Sequence, residues 1–308
     1  MDAPELSDRT VLITGGAGFV GSHLADRLVA DNEVRVIDDL RAGRREHVPD
    51  EAELIVADVR NEDALEQAMA GVDVVFHEAA EISVAESVER PAETHHVNVD
   101  GTLRVLGRAR EEDARVVVAS SAAVYGHPET LPIAEPAPKS PTSPYGIDKL
   151  AIDHYTRRYH DLYGLDTAAL RYFNVYGPRQ GAGDYSGVIE AFFEQAEAGG
   201  PITVHGDGSQ TRDFVHVDDV VDANLLAATT DHVGEAFNVG TGTETSIDGL
   251  AELVREVTDP DVEITHTDPR EGDIDRSRPD VTRAREKMDF EATVDFEDGL
   301  ERLAAVRS

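Results

Sequence analysis

The first half of the chain alternates short apolar runs, rich in β-branched residues, with longer stretches whose apolar positions recur at the helical period. Such alternation is typical of βαβ units, in which parallel strands are buried under helices on both faces. The predicted strands are Val11–Thr14, Val34–Ile37, Leu54–Val56, Val72–Phe76, Val116–Val118 and Thr167–Tyr172. The predicted helices are Phe19–Ala30, Glu62–Ala70, Ala92–Arg110 and Gly146–Tyr163. The pattern therefore predicts an α/β fold of the Rossmann type, with a doubly wound parallel sheet.

The pattern changes from about Gly177, where glycine and proline break the chain into short pieces. These breaks lie at Gly177–Pro178, Gly181–Gly183, Gly199–Pro201 and Gly206–Gly208. We interpret residues 1–176 as a Rossmann domain and residues 177–308 as a smaller α/β lobe. Because Ala236–Val239 again has the composition of a buried strand, we expect that lobe to return in part to the main sheet.

A glycine-rich segment joins the first predicted strand to the first predicted helix, with Gly15, Gly18 and Gly21 spaced three residues apart. Glycine suits a tight turn, close contact with a pyrophosphate, and close packing of a helix on a strand. The N-terminus of the helix then offers N–H groups to the phosphates. In this strand–turn–helix context the spacing predicts a dinucleotide-binding site.

The second predicted strand ends at Asp38. A carboxylate at this place can accept hydrogen bonds from the ribose hydroxyls of the adenosine, and it repels a 2′-phosphate. Asp38 therefore favours NAD over NADP. Arg41 and Arg44 follow closely enough in the sequence to leave NADP open.

Tyr145 and Lys149 are four residues apart and share one face of a predicted helix. An ammonium group at this spacing can lower the pKa of a phenol, so that the tyrosine accepts a proton near neutral pH. The same spacing also arises by chance, as a surface tyrosine packed on a lysine stem. Ser121 follows the strand Val116–Ala119, so we expect it at the carboxyl edge of the sheet, where open α/β folds bind their ligands.

Seven short motifs occur along the chain: Thr14–Gly21, His77–Ala80, Ser120–Gly126, the Tyr145/Lys149 pair, Arg171–Asn174, Gln210–Phe214 and Arg270–Asp273. With these motifs the chain resembles, from Thr10 to about Phe296, the extended short-chain dehydrogenase/reductases and most of all their UDP-glucose 4-epimerase group. The resemblance implies that UDP-glucose and UDP-galactose are interconverted through a 4-keto sugar. It also implies that NAD is the cofactor and is retained between turnovers.

The resemblance assigns roles to single residues. Tyr145 would be the general base, Ser121 would bind the reacting hydroxyl and relay its proton, and Lys149 would hold the nicotinamide ribose. The residues implied in NAD binding are Gly15, Gly18, Phe19, Val20, Asp38, Asp58, Val59, Ala79, Ala80, Asn98, Tyr145, Lys149 and Tyr172. Those implied in binding the UDP-sugar are Ser121, Tyr145, Asn174, Val188, His205, Arg212, Arg270 and Ser277.

Three positions separate this chain from its relatives. Related dehydratases carry an Asp-Glu pair where Ala122 and Ala123 stand, and methyl groups cannot transfer protons. Ser277 falls where glucose-restricted epimerases carry a bulky aromatic residue, so UDP-N-acetylglucosamine is a second expected substrate unless Arg278 fills the space. Glu81 stands where relatives carry a neutral or basic residue.

Other activities stay open at this point. A UDP-glucuronate 4-epimerase, or another nucleotide-sugar epimerase or dehydratase, would use the same cofactor site. A non-catalytic dinucleotide sensor would share the fold, although such proteins usually lack the Tyr145/Lys149 pair. The resemblance further implies a homodimer, formed by the helix after Tyr145 and the helix predicted at Ala92–Arg110.

Composition bears on environment and partners. The chain has 62 acidic and 28 basic residues, a formal net charge of −34, which argues against nucleic acid and anionic membranes as partners. Lysine occurs only at Lys139, Lys149 and Lys287, a composition similar to that of proteins from salt-accumulating microbes. The absence of cysteine excludes disulfides and thiolate metal sites, and the histidines predict no metal site. The start Met1–Glu5 lacks the basic residues of a secretory signal, so we expect a cytoplasmic protein.

Overall fold

The structure is a computed structural model that describes residues 6–181, 187–270 and 272–307. The start Met1–Glu5, Ala182 and Gly183 of one glycine-rich break, and Glu271 of the Arg270–Asp273 motif lie outside the described residues. Among the described helices, none combines the length and the apolar character that crossing a membrane requires.

The strands of the described chain are β1 Thr10–Thr14, β2 Glu33–Asp38, β3 Glu53–Val56, β4 Val74–His77, β5 Arg115–Ser121, β6 Thr167–Tyr172, β7 Asn174–Tyr176, β8 Ile202–His205, β9 Thr211–Arg212, β10 Phe214–His216, β11 Glu235–Val239, β12 Thr245–Ser246 and β13 Ile264–Thr267. Seven of them form one parallel sheet in the spatial order β3-β2-β1-β4-β5-β6-β11. The predicted α/β fold with a parallel Rossmann-type sheet is confirmed.

The helices of the described chain are α1 Phe19–Leu28, α2 Glu62–Met69, α3 Val84–Glu89, α4 Pro91–His95, α5 Gly101–Glu112, α6 Pro144–Tyr163, α7 Val188–Glu197, α8 Val217–Thr229, α9 Ile247–Val257, α10 Thr282–Met288 and α11 Phe296–Arg307. The sheet is buried on both faces, as continuous apolar strands require. Val11 and Ile13 belong to the core on the face covered by α1 and α8, whereas Leu12 belongs to the core on the face covered by α2 and α5.

The order of the strands places a switch point beside β1. Strand β2 pairs with one side of β1 and β4 with the other, so the connections that leave β1 and β4 run in opposite directions. Ligands of open α/β sheets bind in the crevice that forms at such a point, outside the carboxyl ends of the strands. The carboxyl ends of β1 and β4 are Thr14 and His77.

The helix predicted at Ala92–Arg110 is wrong as a single element. The π-helical turn His96–Asp100 interrupts it and separates α4 from α5. Its cause is a long-range contact, because the side chain of Asn98 in this turn bonds to the backbone of Glu81 in both directions. Turns of this kind are frequent at functional sites.

The chain after Gly177 builds a second core from α7, α9, α11 and small sheets that pair β8 with β13 and β9 with β12. The prediction that Ala236–Val239 returns to the main sheet is confirmed, since β11 pairs with β6. Helix α8 also packs on the main sheet, against β5 and β6. The carboxyl edge of the large sheet thus faces chain segments from both regions.

Candidate functional site

The turn after β1 forms a cradle that only glycine fits. Gly15 has φ +70°, and a Cβ atom there would lie 2.7 Å from the backbone nitrogen of Ala79. A Cβ atom on Gly21 would lie 2.4 Å from the carbonyl oxygen of Gly15. Gly18 precedes α1 without a capping side chain, and no acidic residue stands in the first turn of that helix. These residues fit a pyrophosphate, because the helix N-terminus is left to interact with an anion.

Asp38 closes this cradle from the end of β2. Its Oδ2 accepts a hydrogen bond from the backbone of Ala17 at 3.0 Å, and its Oδ1 accepts one from the backbone of Leu40 at 2.8 Å. Burial raises the pKa of Asp38, and these two bonds oppose the rise. Arg41 lies 3.5 Å from the carboxylate of Asp39. A cation with its own carboxylate partner is less suited to a 2′-phosphate, which agrees with NAD as the dinucleotide.

Further residues predicted to bind NAD lie just after the ends of strands β3 and β4. The Asp58 side chain is held by Arg60, and this pairing lowers the pKa of the carboxyl group. Val59 is buried, and a Cβ atom on Gly101 would lie 3.1 Å from its side chain. Ala79 lies against Gly15, and Ala80 comes next at the same edge of the sheet.

Glu81, for which the sequence alone offers no role, starts the segment that leads into α3. Its Oε1 accepts a hydrogen bond from the backbone of Ser83 at 3.1 Å, and Ser83 caps α3. The backbone nitrogen of Glu81 donates to Asn98 Oδ1 at 2.8 Å, and its carbonyl accepts from Asn98 Nδ2 at 3.0 Å. Asn98 therefore fixes the loop after β4, and Glu81 fixes the turn after that loop.

A buried histidine, which sequence reasoning missed as a positioning group, joins β1 and β4. Thr102 donates its hydroxyl proton to the carbonyl of Asn98, so its oxygen accepts from Nε2–H of His77 at 2.9 Å. The Nδ1 atom of His77 then accepts from Thr14 at 2.7 Å, and the oxygen of Thr14 accepts from the backbone of Ala79. Burial lowers the pKa of His77 to about 3, so the ring is neutral. This chain of hydrogen bonds fixes the carboxyl ends of β1 and β4, and the neutral ring of His77 places no charge there.

The catalytic residues predicted from the sequence come together at the carboxyl ends of β5 and β6. The Ser121 Oγ accepts from the backbone of Ala123 at 3.1 Å, so its proton is left to donate toward the Tyr145 oxygen. Lys149 is 3% exposed, and its Nζ donates to the carbonyl of Ala119 at 2.7 Å. Ser143 caps α6 by accepting from the backbone of Gly146, which sets the start of the helix that carries both residues.

The pKa of Tyr145 does not show the lowering that its spacing to Lys149 predicts. Burial raises the pKa of Tyr145, and the hydrogen bond with Ser121 is what opposes that rise. The ammonium group lies 5.8 Å from the centre of the tyrosine ring and makes its hydrogen bond to a backbone carbonyl. Burial lowers the pKa of Lys149 itself to about 8, opposed by the charges of Glu78 and Asp148. The ammonium group of Lys149 therefore interacts electrostatically with carboxylates. Other charges have to lower the pKa of Tyr145 before it can act as a base near neutral pH.

A second polar chain, also missed from the sequence, runs through Tyr172. Asn224 Nδ2 in α8 donates to the Tyr172 hydroxyl at 2.8 Å, and that hydroxyl donates to Glu78 Oε1 at 2.8 Å. Burial raises the pKa of Tyr172 and raises the pKa of Glu78 to about 7. A charged residue directly after the apolar strand β4 is a sequence signal that could have identified Glu78. Nothing local marks Asn224, which lies inside a helix far along the chain.

On the substrate side, Arg212 and Asn174 are both held by their neighbours. Arg212 forms an ion pair with Asp273 and donates to the carbonyl of Ile274 at 2.6 Å. Asn174 Nδ2 donates to the carbonyl of Asp213 at 2.9 Å. The carboxylate of Asp213 is fully buried and accepts from the loop after β11, and burial raises its pKa to about 6. These contacts connect the motifs around residues 174, 212 and 273 to one another.

The remaining predicted substrate residues lie along the second region. Val188 is the first residue of α7 and packs on the second core, and His205 ends β8 with its ring near Thr267. Arg270 is exposed. The described residues place no direct contact among Val188, His205 and Arg270, so their convergence on one ligand stays a prediction.

Ser277 is buried, with its backbone nitrogen donating to the carbonyl of Thr211 at 3.1 Å. Glu244 organises the residues around it, because its carboxylate accepts from the hydroxyl of Thr211 and from Arg276. The Nε of Arg278 lies 3.7 Å from the same carboxylate. Arg278 is thus within ion-pair distance of Glu244, but its Nε makes no hydrogen bond there.

The cradle gives a direct test. Gly15→Ala should lower the amount of dinucleotide bound to the purified protein by roughly tenfold or more, because φ strain of about 1–2 kcal/mol adds to a clash with Ala79. Gly71→Ala is the matched control, since Gly71 also has positive φ and its Cβ position has no atom within 4 Å. Bound dinucleotide is measured by extraction and absorbance. Equal retention by both variants would contradict the cradle.

Comparisons with known proteins agree on one family. The model described as "NAD dependent epimerase/dehydratase family" matches residues 11–240. The UDP-glucose 4-epimerase of Mycolicibacterium smegmatis is 43% identical over 300 residues, covering 94% of this chain and 95% of its own. A putative UDP-glucose 4-epimerase of Methanocaldococcus jannaschii is 40% identical over 297 residues, covering 95% and 96%. The UDP-N-acetylglucosamine 4-epimerase of Methanobrevibacter ruminantium M1, solved with UDP-N-acetylmuramic acid, superposes with a TM-score of 0.94 at 36% identity, covering 97% and 98%.

Proposed function

The chain belongs to the NAD-dependent epimerase/dehydratase family, and on that premise we propose that it is a UDP-sugar 4-epimerase that interconverts UDP-glucose and UDP-galactose through a 4-keto intermediate. The observation that carries the proposal is the grouping of Ser121, Tyr145 and Lys149 at the carboxyl edge of the sheet, beside a glycine cradle that fits a dinucleotide. Two relatives named for this activity span nearly the whole chain.

Each residue has a task in this reaction. NAD, held by the glycine cradle and Asp38, would supply the hydride acceptor and a positive charge that lowers the pKa of a phenol. Tyr145 takes the proton of the sugar C4 hydroxyl, and Ser121 donates a hydrogen bond that stabilises the phenolate. Lys149, fixed by the carbonyl of Ala119, holds the ribose next to Tyr145. The keto sugar then turns, takes hydride on its other face and recovers the proton from Tyr145.

Loss of water or carbon dioxide is disfavoured by the two residues directly after Ser121. Ala122 and Ala123 lie in a 3₁₀ turn, where the related dehydratases carry an acidic pair. Without a carboxylate at these positions, the 4-keto sugar has no acid or base there to drive elimination. The keto sugar is then left to accept hydride back. This supports an epimerase over a dehydratase or decarboxylase.

We also propose that residues 177–308 form the lobe that binds the nucleotide sugar. Arg212 and Arg270 would bind the diphosphate, because planar guanidinium groups suit phosphate oxygens. The present partner of Arg212 is Asp273, so a diphosphate would have to displace or share that carboxylate. Asn174 would contact the phosphate region, and Val188 and His205 would enclose the uracil.

The first test is the reaction itself. Purified protein at molar KCl concentration should convert UDP-galactose to UDP-glucose without added NAD, followed by NMR. Tyr145→Phe should lower the rate by roughly 10²- to 10⁴-fold, since it removes the general base. Tyr163→Phe, on the exposed end of the same helix, is the control and should keep the rate.

The outcomes of this time course separate the rival functions. Conversion of UDP-glucuronate in place of UDP-galactose would favour the glucuronate 4-epimerase. An NAD-loaded protein that is inert toward all the UDP-sugars would favour the non-catalytic dinucleotide sensor.

Ser277 supports a wider substrate range, and a neighbour of known structure is named for UDP-N-acetylglucosamine. Ser277→Tyr should lower kcat/KM for UDP-N-acetylglucosamine by roughly tenfold to a hundredfold relative to UDP-glucose, because the ring fills the space for the acetamido group. Ser277→Ala should turn over both sugars as the natural protein does. If the natural protein acts on UDP-galactose but not on the N-acetylated sugar, this part of the proposal is wrong.

We further propose a homodimer through α6. Ile147, Tyr155 and Leu162 are 55%, 43% and 69% exposed and lie on one side of this helix. Helix α3, which packs on α6, adds the exposed side chains of Val84 and Val88. An apolar patch of this kind marks an interaction surface, and a long helix supports pairing with a second copy.

The dimer is tested by mass in solution. Ile147→Glu should shift the protein toward the 33.4 kDa monomer in light scattering, because a charge is placed in the apolar contact. Val306→Glu alters an equally exposed apolar residue on α11 and should leave the mass unchanged. Lower salt should weaken the dimer of so acidic a chain. A monomeric natural protein at molar KCl would contradict the proposal.

A further inference from the structure

Glu78 lies between the two halves of the cofactor site. Its backbone carbon would be 3.0 Å from a Cβ atom on Gly15, so the main chain touches the turn that fits the pyrophosphate. Its side chain reaches in the other direction, to the hydroxyl of Tyr172. A nicotinamide riboside has to span from the pyrophosphate to the Tyr145/Lys149 pair. Glu78 would therefore lie beside the part of the cofactor that reacts.

The hydrogen bonds around Tyr172 make the carboxylate of Glu78 a hydrogen-bond acceptor. Asn224 donates to the oxygen of Tyr172, and Asn224 itself is fully buried in α8. With that lone pair occupied, the hydroxyl proton of Tyr172 is directed to Glu78 Oε1. The bond favours the ionised form of Glu78, and it keeps the carboxylate at one place in the site.

Charged and titratable groups face Glu78 from several elements. Lys149 faces it from α6 and interacts with it electrostatically, and Tyr172 faces it from β6. His77 precedes it on β4 and is neutral, and Tyr145 lies on the same helix as Lys149. Because Lys149 is buried and Glu78 is half-buried, solvent screens their interaction less than it would between two surface charges. The site thus holds a carboxylate and an ammonium group that interact electrostatically.

We propose that the Glu78 carboxylate shifts the cofactor preference of the site toward the oxidised nicotinamide dinucleotide and away from the reduced form. The oxidised ring is positive and the reduced ring is neutral, so a nearby carboxylate stabilises the former more than the latter. The positive charge of Lys149 favours the reduced form, and the negative charge of Glu78 offsets that preference. The consequence is that hydride is readily returned to the keto sugar. The inference rests on the cofactor and needs the proposed sugar reaction only for this consequence.

The test measures which dinucleotide the protein prefers, without any sugar. Natural protein and Glu78→Gln are equilibrated to constant composition with an equal mixture of NAD and NADH, freed of unbound dinucleotide, and extracted. Glu78→Gln should shift the bound ratio toward NADH by roughly three- to tenfold, because the amide keeps the bond from Tyr172 but loses the charge. Glu235→Gln, a partly buried carboxylate of β11 paired with Lys287, is the control and should leave the ratio unchanged.

The natural protein gives a second readout by its pH dependence. Burial raises the pKa of Glu78 to about 7, so the carboxylate is ionised above that pH and the preference for NAD should grow as pH rises through neutrality. Loss of the Lys149 charge near pH 8 acts in the same direction. The bound ratio of NAD to NADH in Glu78→Gln should therefore no longer change near neutral pH. It should still change near pH 8, where Lys149 loses its charge.

The outcomes separate the possible roles of Glu78. An unchanged ratio and an unchanged pH profile in Glu78→Gln would overturn the proposal and leave Glu78 as a structural partner of Tyr172. If Glu78→Gln does not fold, a pH-independent ratio in the natural protein overturns it equally. A shifted ratio in a protein that is inert toward UDP-sugars would uphold this inference while the proposed function fails.

Discussion

The close approach of the Gly15 turn to the segment after β4 is the constraint on which the site depends. The turn comes so near to Ala79 that no side chain fits between them, and the buried bonds of Thr14 and His77 keep the two strands in that register. When β1 and β4 are held in this register, close packing fixes the conformation of the backbone directly after β4. That conformation places Glu78 toward Tyr172 and Ala79 against the cradle.

A second constraint fixes the catalytic helix to the sheet. Arg171, in the strand position before Tyr172, forms a bidentate ion pair with Asp153, one turn after Lys149 on α6. Both side chains are buried, and removing one partner of such a pair costs about 3–5 kcal/mol. The pair therefore sets the distance between the helix that carries the base and the strand that carries Tyr172, although neither charge is placed to touch a ligand.

Local patterns were sufficient for the fold and for half of the site. The strands, the glycine turn and the Tyr145/Lys149 pair were predictable because each is encoded by spacing within a few residues. The break between α4 and α5 was not, because it depends on Asn98 reaching Glu81 across the site. The same holds for the pKa of Tyr145, which is decided by burial and by what Lys149 contacts. Spacing in the sequence predicts which residues are close together on a helix. The pKa of such a residue depends on the charged and polar partners that the fold brings to it.

These constraints explain how one scaffold can serve different reactions. In the proposed reaction the cradle and the Tyr145/Lys149 pair serve the first step, the oxidation of a sugar hydroxyl. The fate of the keto sugar in this proposed reaction depends on a few charges. Ala122 and Ala123 offer none for elimination, which leaves the return of hydride. A redox-neutral reaction needs hydride to pass in both directions, and a strong preference for either form of the cofactor would oppose one of them. A site with Lys149 alone would favour the neutral reduced ring. In the proposed role Glu78 offsets that bias, so the two charges would together set the balance that a redox-neutral reaction requires.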